Sequence, residues 1–184
     1  MSALPREGKS TVVSNLATLF SMSGMRTLVV DADIVSPKLT KTFAPDATVG
    51  LIDAIKDSQQ VKKYVISAKT APFDLLPATG LIANSTDVLH PEQMQVLLND
   101  LFQAYDLVIF DVPQANPLVD GLALSPLFDA LVIVAEWGRT SIDLLSEMLR
   151  SLRMANTSIL GVVMTKVDDG SVGSYGECVT ANYS

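Results

Sequence analysis

The chain has 184 residues, 48% of them hydrophobic and 18% charged, which allows one domain with a sizeable core and fits a folded globular class, not a disordered chain. Its formal net charge of -7 and pI near 4.5 argue against nucleic acid or an anionic membrane face as partners, because both are bound through clustered lysine and arginine. A lone cysteine, Cys178, cannot close an intrachain disulfide, no basic-then-apolar leader precedes the first motif, and no apolar run reaches the roughly 18 residues of a membrane span; the chain reads as cytoplasmic.

In chain order, the first stretch is Ser2 to Thr11, SALPREGKST. It runs into Val12, Val13, Leu16, Leu19 and Phe20, which recur at helical spacing, with Gly24 where that helix stops. Thr27-Leu28-Val29-Val30 is a β-branched run that reads as a buried strand delivering Asp31 and Asp33 at its end. A short strand follows at 73–76. Pro91 opens an amphipathic helix through Met94, Leu97, Leu98, Leu101 and Phe102. Leu107-Val108-Ile109-Phe110 is a strand ending in Asp111-Val112-Pro113, and Leu131-Val132-Ile133-Val134 is another. Thr140 with Asp143 has the capping-box pattern ahead of a helix carrying Leu144, Leu145, Met148, Leu149 and Leu152. The last strand is 159–164. Residues 168–184, without periodicity, read as a flexible tail after a nucleotide-binding domain over 1–167.

Short apolar strands alternating with helical patterns predict βαβ units, a mostly parallel central sheet and helices on both faces: an α/β fold of three layers. The mean hydropathy of +0.34 fits such doubly covered strands.

In a phosphate-binding loop, glycine lets backbone amides approach the phosphates, a lysine bridges the outer phosphates and a hydroxyl binds magnesium. Glu7, Gly8, Lys9, Ser10 and Thr11 are candidates for this work, with Thr11 in the first helical turn where the helix dipole favours anions. Alone, Gly-Lys-Ser is a common tripeptide and an ordinary helix start. The usual pattern also wants glycine where Ala3 stands, and a strand before the loop. Asp111, at a strand end, has the form of a second nucleotide motif that holds magnesium through water, and Asp31 and Asp33 supply further carboxylates that share a side if strand geometry persists. Three such junctions in the proper order point to nucleotide binding.

The segments SALPREGKSTVVSNLA, TLVVDADIVSPKL, GLIDAI, LLPATG and YDLVIFDVPQANPLVDGLAL, in this order, resemble the cytoplasmic domain of bacterial tyrosine kinases of the capsular and exopolysaccharide family. These are the ATP-binding halves of polysaccharide co-polymerases. The resemblance covers Ser2 to about Lys166 and implies a fold like that of phosphate-loop nucleotide hydrolases, lacking here the strand before the loop. It implies ATP or ADP with magnesium as cofactors and Lys9, Ser10 and Thr11 on the phosphates and metal. Asp33 and Asp111 would join Ser10 at the magnesium, and Lys9, Asp31, Asp33 and Asp111 would form the catalytic set, with Asp31 or Asp33 accepting the proton of a substrate tyrosine. The implied partners are a membrane-embedded chain-length-determinant segment or adaptor and further copies of the chain. The implied location is the inner face of the membrane, within a longer membrane-anchored protein.

Three departures stand out. Val35-Ser36 replace the arginine that usually follows the second motif, the tail offers only Tyr175 and Tyr183 as autophosphorylation sites, and the family's N-terminal helix and strand do not precede the loop. A non-catalytic, nucleotide-dependent regulatory module of an export complex is the rival reading. A partitioning-type ATPase is a weaker one, because its second lysine is Leu4 here. His90 reads as structural; Trp137 and Arg139 sit where they could line a nucleotide or simply pack. Thr165-Lys166-Val167-Asp168 resembles a base-reading segment whose asparagine is replaced by Thr165, so guanine specificity does not follow.

Overall fold

The five residues of β1 (Thr27–Asp31) are all buried, and the reason is an alternation of side chains between two filled faces. Leu28 and Val30 point into one core with Leu51, Ala54, Ile55, Val61, Leu76 and the helix residues Met94, Leu97, Leu98 and Leu101. Val29 points into the other, with Val13, Ala17, Leu39, Phe73 and Leu75. The computed structural model describes residues 1–79, 91–113 and 127–168; His90, Cys178, Tyr175 and Tyr183 lie outside them, as does the tail after Asp168.

The elements are α1 (Lys9–Met22), β1, α2 (Lys38–Phe43), α3 (Leu51–Lys56), a 3-10 segment (Ser58–Lys63), β2 (Ile66–Ser67), β3 (Asp74–Leu76), α4 (Pro91–Ala104), β4 (Leu107–Asp111), β5 (Leu131–Glu136), α5 (Ile142–Met154) and β6 (Ile159–Thr165). Among the described residues the strands form one sheet in the order β2-β3-β1-β4 and a second pair, β5-β6. β1 runs parallel to β3 and to β4, with Asp31 opposite Asp111, and only β2 is antiparallel. β5 and β6 are parallel, with an irregularity between Leu131 and Val132. α5 covers this pair through Met148 and Leu152 on Leu131 and Ile133. The mostly parallel sheet between helical layers is the expected α/β architecture.

Several expectations shift in detail. Where the strand before the loop is expected to be lacking, Met1 and Ser2 make only an isolated parallel bridge to β5. The Met1 nitrogen donates to Val132 O at 2.8 Å, Val134 N donates to Met1 O at 2.7 Å, and Ser2 bridges Val134 in parallel. α1 does start inside the motif and ends in a Schellman arrangement, with Gly24 N on Ser21 O and Met25 N on Phe20 O. Its buried face, however, is Val13 and Ala17; Leu19 is 62% exposed. The cap of α5 is Ser141, whose hydroxyl accepts from Leu144 N at 3.2 Å, not Thr140, which is engaged elsewhere. β6 pairs only with β5 among the described residues, and Leu160, Val162 and Met164, alternate residues on one of its faces, are 75%, 40% and 55% exposed.

Candidate active site

The loop before α1 bends through two residues of positive φ, Arg6 at 65° and Gly8 at 91°. Gly8 is the N-cap of α1 and takes the left-handed conformation that a side chain disfavours, and its carbonyl accepts Val12 N at 3.0 Å. Three successive carbonyls are captured from outside: Pro5 O by Arg139 Nη1 at 2.9 Å, Arg6 O by Lys166 Nζ at 3.0 Å, and Glu7 O by Thr165 Oγ1 at 2.6 Å. The Glu7 side chain is fully buried and taken up within the chain, accepting from Leu4 N at 2.8 Å and from the Thr140 hydroxyl. What Glu7 can offer a nucleotide is therefore its backbone.

The carboxylates converge because β1 and β4 are parallel and in register, so both end at the same edge of the sheet, beside the start of α1. Asp111 is 2% exposed, and its Oδ1 is buried without a hydrogen-bond partner. Burial pushes its carboxyl above the usual range, against the lowering pull of the Ser10 hydroxyl and the Lys9 ammonium. Burial likewise lowers Lys9, while the Asp111 and Asp33 carboxylates pull it back up. A buried acceptor oxygen without a donor, beside a hydroxyl and an ammonium, fits a hard cation with oxygen ligands. Among the described residues no three His, Cys, Asp or Glu side chains form a metal cluster by themselves. That suits magnesium, which is usually held by one or two carboxylates together with substrate phosphates.

Asp31 and Asp33 do not share a role. β1 ends at Asp31, so strand geometry does not carry on to Asp33. Asp31 is fully buried; its Oδ2 accepts from Thr40 N at 2.9 Å and Thr40 Oγ1 at 2.8 Å, and its Oδ1 from Asp33 N at 3.3 Å. Thr40 Oγ1 in turn accepts from Ala78 N at 2.8 Å. Asp31 thus ties β1, α2 and the end of β3 together, and its carboxyl is pushed up to about 6, chiefly by burial. Asp33 is half-buried, with Oδ1 accepting from Ser36 N at 2.9 Å.

Lys9, Ser10, Asp33 and Asp111 are therefore brought together, while Glu7 and Asp31 are brought in as scaffold. Sequence reasoning passed over Thr40 and gave Thr140 a different task. It left Arg139 open between lining a nucleotide and packing, and saw in Thr165-Lys166 only a likeness to a base-reading segment; in the structure these side chains hold the loop. Only their proximity to strand ends signalled them.

An AAA domain family profile matches residues 7–161. The succinoglycan biosynthesis transport protein ExoP of Rhizobium meliloti is 35% identical over 96% of this chain, which spans 23% of that protein. Tyrosine-protein kinase YwqD of Bacillus subtilis is 30% identical over 89% of this chain, which spans 69% of YwqD. Among solved structures, the kinase domain of VpsO superposes with a TM-score of 0.84 at 24% identity, covering 91% of this chain and 83% of that one. Cobyrinic acid a,c-diamide synthase from Mycobacterium smegmatis, with a bound ATP analog and magnesium, gives 0.80 at 18%, covering 95% and 74%; both likenesses bear on the fold. With the loop, the second carboxylate motif and Asp111 in place, the chain belongs to the AAA domain family, among the bacterial tyrosine kinases of the capsular and exopolysaccharide type.

Proposed function

We propose that this chain binds ATP at the loop before α1 and transfers its terminal phosphoryl group to a tyrosine hydroxyl. It would do so at the inner face of the membrane, as the nucleotide-binding part of a longer protein that governs exopolysaccharide or capsule polymerisation and export. The carrying observation is the buried, unpartnered Asp111 Oδ1 beside Ser10 and Lys9, and the relatives ExoP and YwqD support the setting. Ser10 and Asp111, with Asp33 nearby, are the residues for magnesium, which when bound supplies positive charge to the outer phosphates.

The chain's own groups account for the remainder. Loop amides and the N-terminus of α1 bind and orient the phosphates, and Lys9 follows the charge that develops on the migrating group. The tyrosine oxygen forms a bond to the terminal phosphorus as the bridging oxygen leaves with ADP, and Asp33 takes the phenolic proton. Asp33 suits this better than Asp31, which is fully buried and held by Thr40. Tyr175 and Tyr183 are candidate acceptors between neighbouring copies.

The test is a calorimetric titration of magnesium-ADP into the chain, with Lys9→Ala as control. Micromolar binding that disappears in Lys9→Ala, with an unchanged circular dichroism spectrum, is expected; equal binding by the variant would refute the loop assignment. Phosphotyrosine formed by the complete protein with ATP then separates a kinase from a regulatory module, which would bind nucleotide and make none.

A further inference from the structure

We propose that Lys166 and Arg139 are positioning residues for the phosphate-binding loop, holding its peptide planes so that consecutive amides face the anion. In a trans peptide the C=O and the following N–H point in opposite directions. Arg139 Nη1 on Pro5 O, Lys166 Nζ on Arg6 O and Thr165 Oγ1 on Glu7 O therefore turn the amides of Arg6, Glu7 and Gly8 to the opposite side of the loop, in the sense a phosphate nest requires. Glu136 fixes both cations: its Oε2 accepts from Arg139 Nη1 and from Lys166 Nζ, each at 3.0 Å. The two cations keep the Glu136 carboxyl below its usual range. Lys166 itself sits at a φ of 54°, an uncommon conformation for a side-chain-bearing residue that the surrounding contacts must maintain.

The ion pairs are partly open to water, with side-chain exposures of 42% for Arg139 and 51% for Lys166. Exposed pairs of this kind add little to global stability, so the importance of these cations lies in the shape of the loop. The residues after β6 and β5 would in this way report to the phosphates, not to a base.

This inference rests on the reading of the loop as an anion site, and the experiment separates the two. Tripolyphosphate and magnesium-ADP are titrated into the whole chain at about 0.5 M salt, where long-range attraction by exposed charges is screened. The proteins are wild type, Lys166→Met, Arg139→Met, the double variant and Lys166→Arg. The double variant is expected to lose about tenfold or more in affinity for both ligands, the scale of one well-aligned charge-assisted hydrogen bond, with its thermal midpoint essentially unchanged. Lys166→Arg is expected to retain most of the affinity. Wild-type affinity in a folded double variant would overturn the positioning role alone; a wild type that binds neither ligand would overturn the anion-site reading and this inference with it.

Discussion

Thr40 shows how much a single hydroxyl can organise. It donates to Asp31 Oδ2 and accepts from Ala78 N while 7% exposed, so Thr40→Val leaves a buried carboxylate and a buried amide each short of a partner. The expected loss is roughly 2–4 kcal/mol by urea denaturation, with Thr40→Ser recovering most of it. Asp31 supplies a pH dependence whose sign is unusual for an aspartate. Its folded value of about 6 stands above the ordinary 3.8, so the folded chain holds this proton more tightly than the unfolded one. The corresponding stability is whole below about pH 4 and is lost as pH rises through about 6. The difference in unfolding free energy between wild type and Asp31→Asn should therefore fall by on the order of 3 kcal/mol from pH 4 to pH 7; a flat difference would mean that the buried carboxyl is not the titrating group. Neither role is visible in the run VVDADIVSPKLT, because the partner of Asp31 lies nine positions on and that of Thr40 a further 38.

Elements were legible where burial is two-sided or periodicity long. β1, β4 and β5 are continuous apolar runs because helices cover a parallel sheet, and α4 shows its stripe in Met94, Leu97, Leu98 and Leu101, all at most 1% exposed. Leu97→Ala should cost about 2–5 kcal/mol, while Val96→Ala, at a position 50% exposed, should stay within roughly 0.5 kcal/mol; similar losses at both would place α4 in the wrong rotation. The six-residue helices α2 and α3 were not legible. They are too short for a periodic signal and rest on remote partners: α2 on Asp31, and α3 on Pro77 O, which accepts Leu51 N at 2.8 Å. In the candidate site, the placement of Gly8-Lys9-Ser10 beside Asp111 was legible because it follows from local order along the chain. The loop's external supports were not, since Thr140 and Thr165 reach Glu7 across 133 and 158 positions.

At the scale of the molecule, the loop stands between two sheets. Its carbonyls are tied to residues at and just after the ends of β5 and β6, whereas Asp111 and Asp31 end β4 and β1 and Asp33 follows β1. A nucleotide that engages both sides should couple them, and magnesium-ADP at about 100 times its dissociation constant would stabilise the chain by about 2.7 kcal/mol. Amide hydrogen exchange in β5 and β6 should slow along with that in β1 and β4; protection confined to one set would show that the ligand contacts only that side. The open apolar stripe of β6, Leu160, Val162 and Met164, bears on how the protein behaves at high concentration. With a pI near 4.5, mutual repulsion fades as the solution is acidified towards it, and an exposed apolar stripe of this kind then favours association between copies. The acidic surplus of the chain thus acts as a colloidal safeguard for a sticky face, and mildly alkaline, low-salt buffers are the conditions under which that safeguard is strongest.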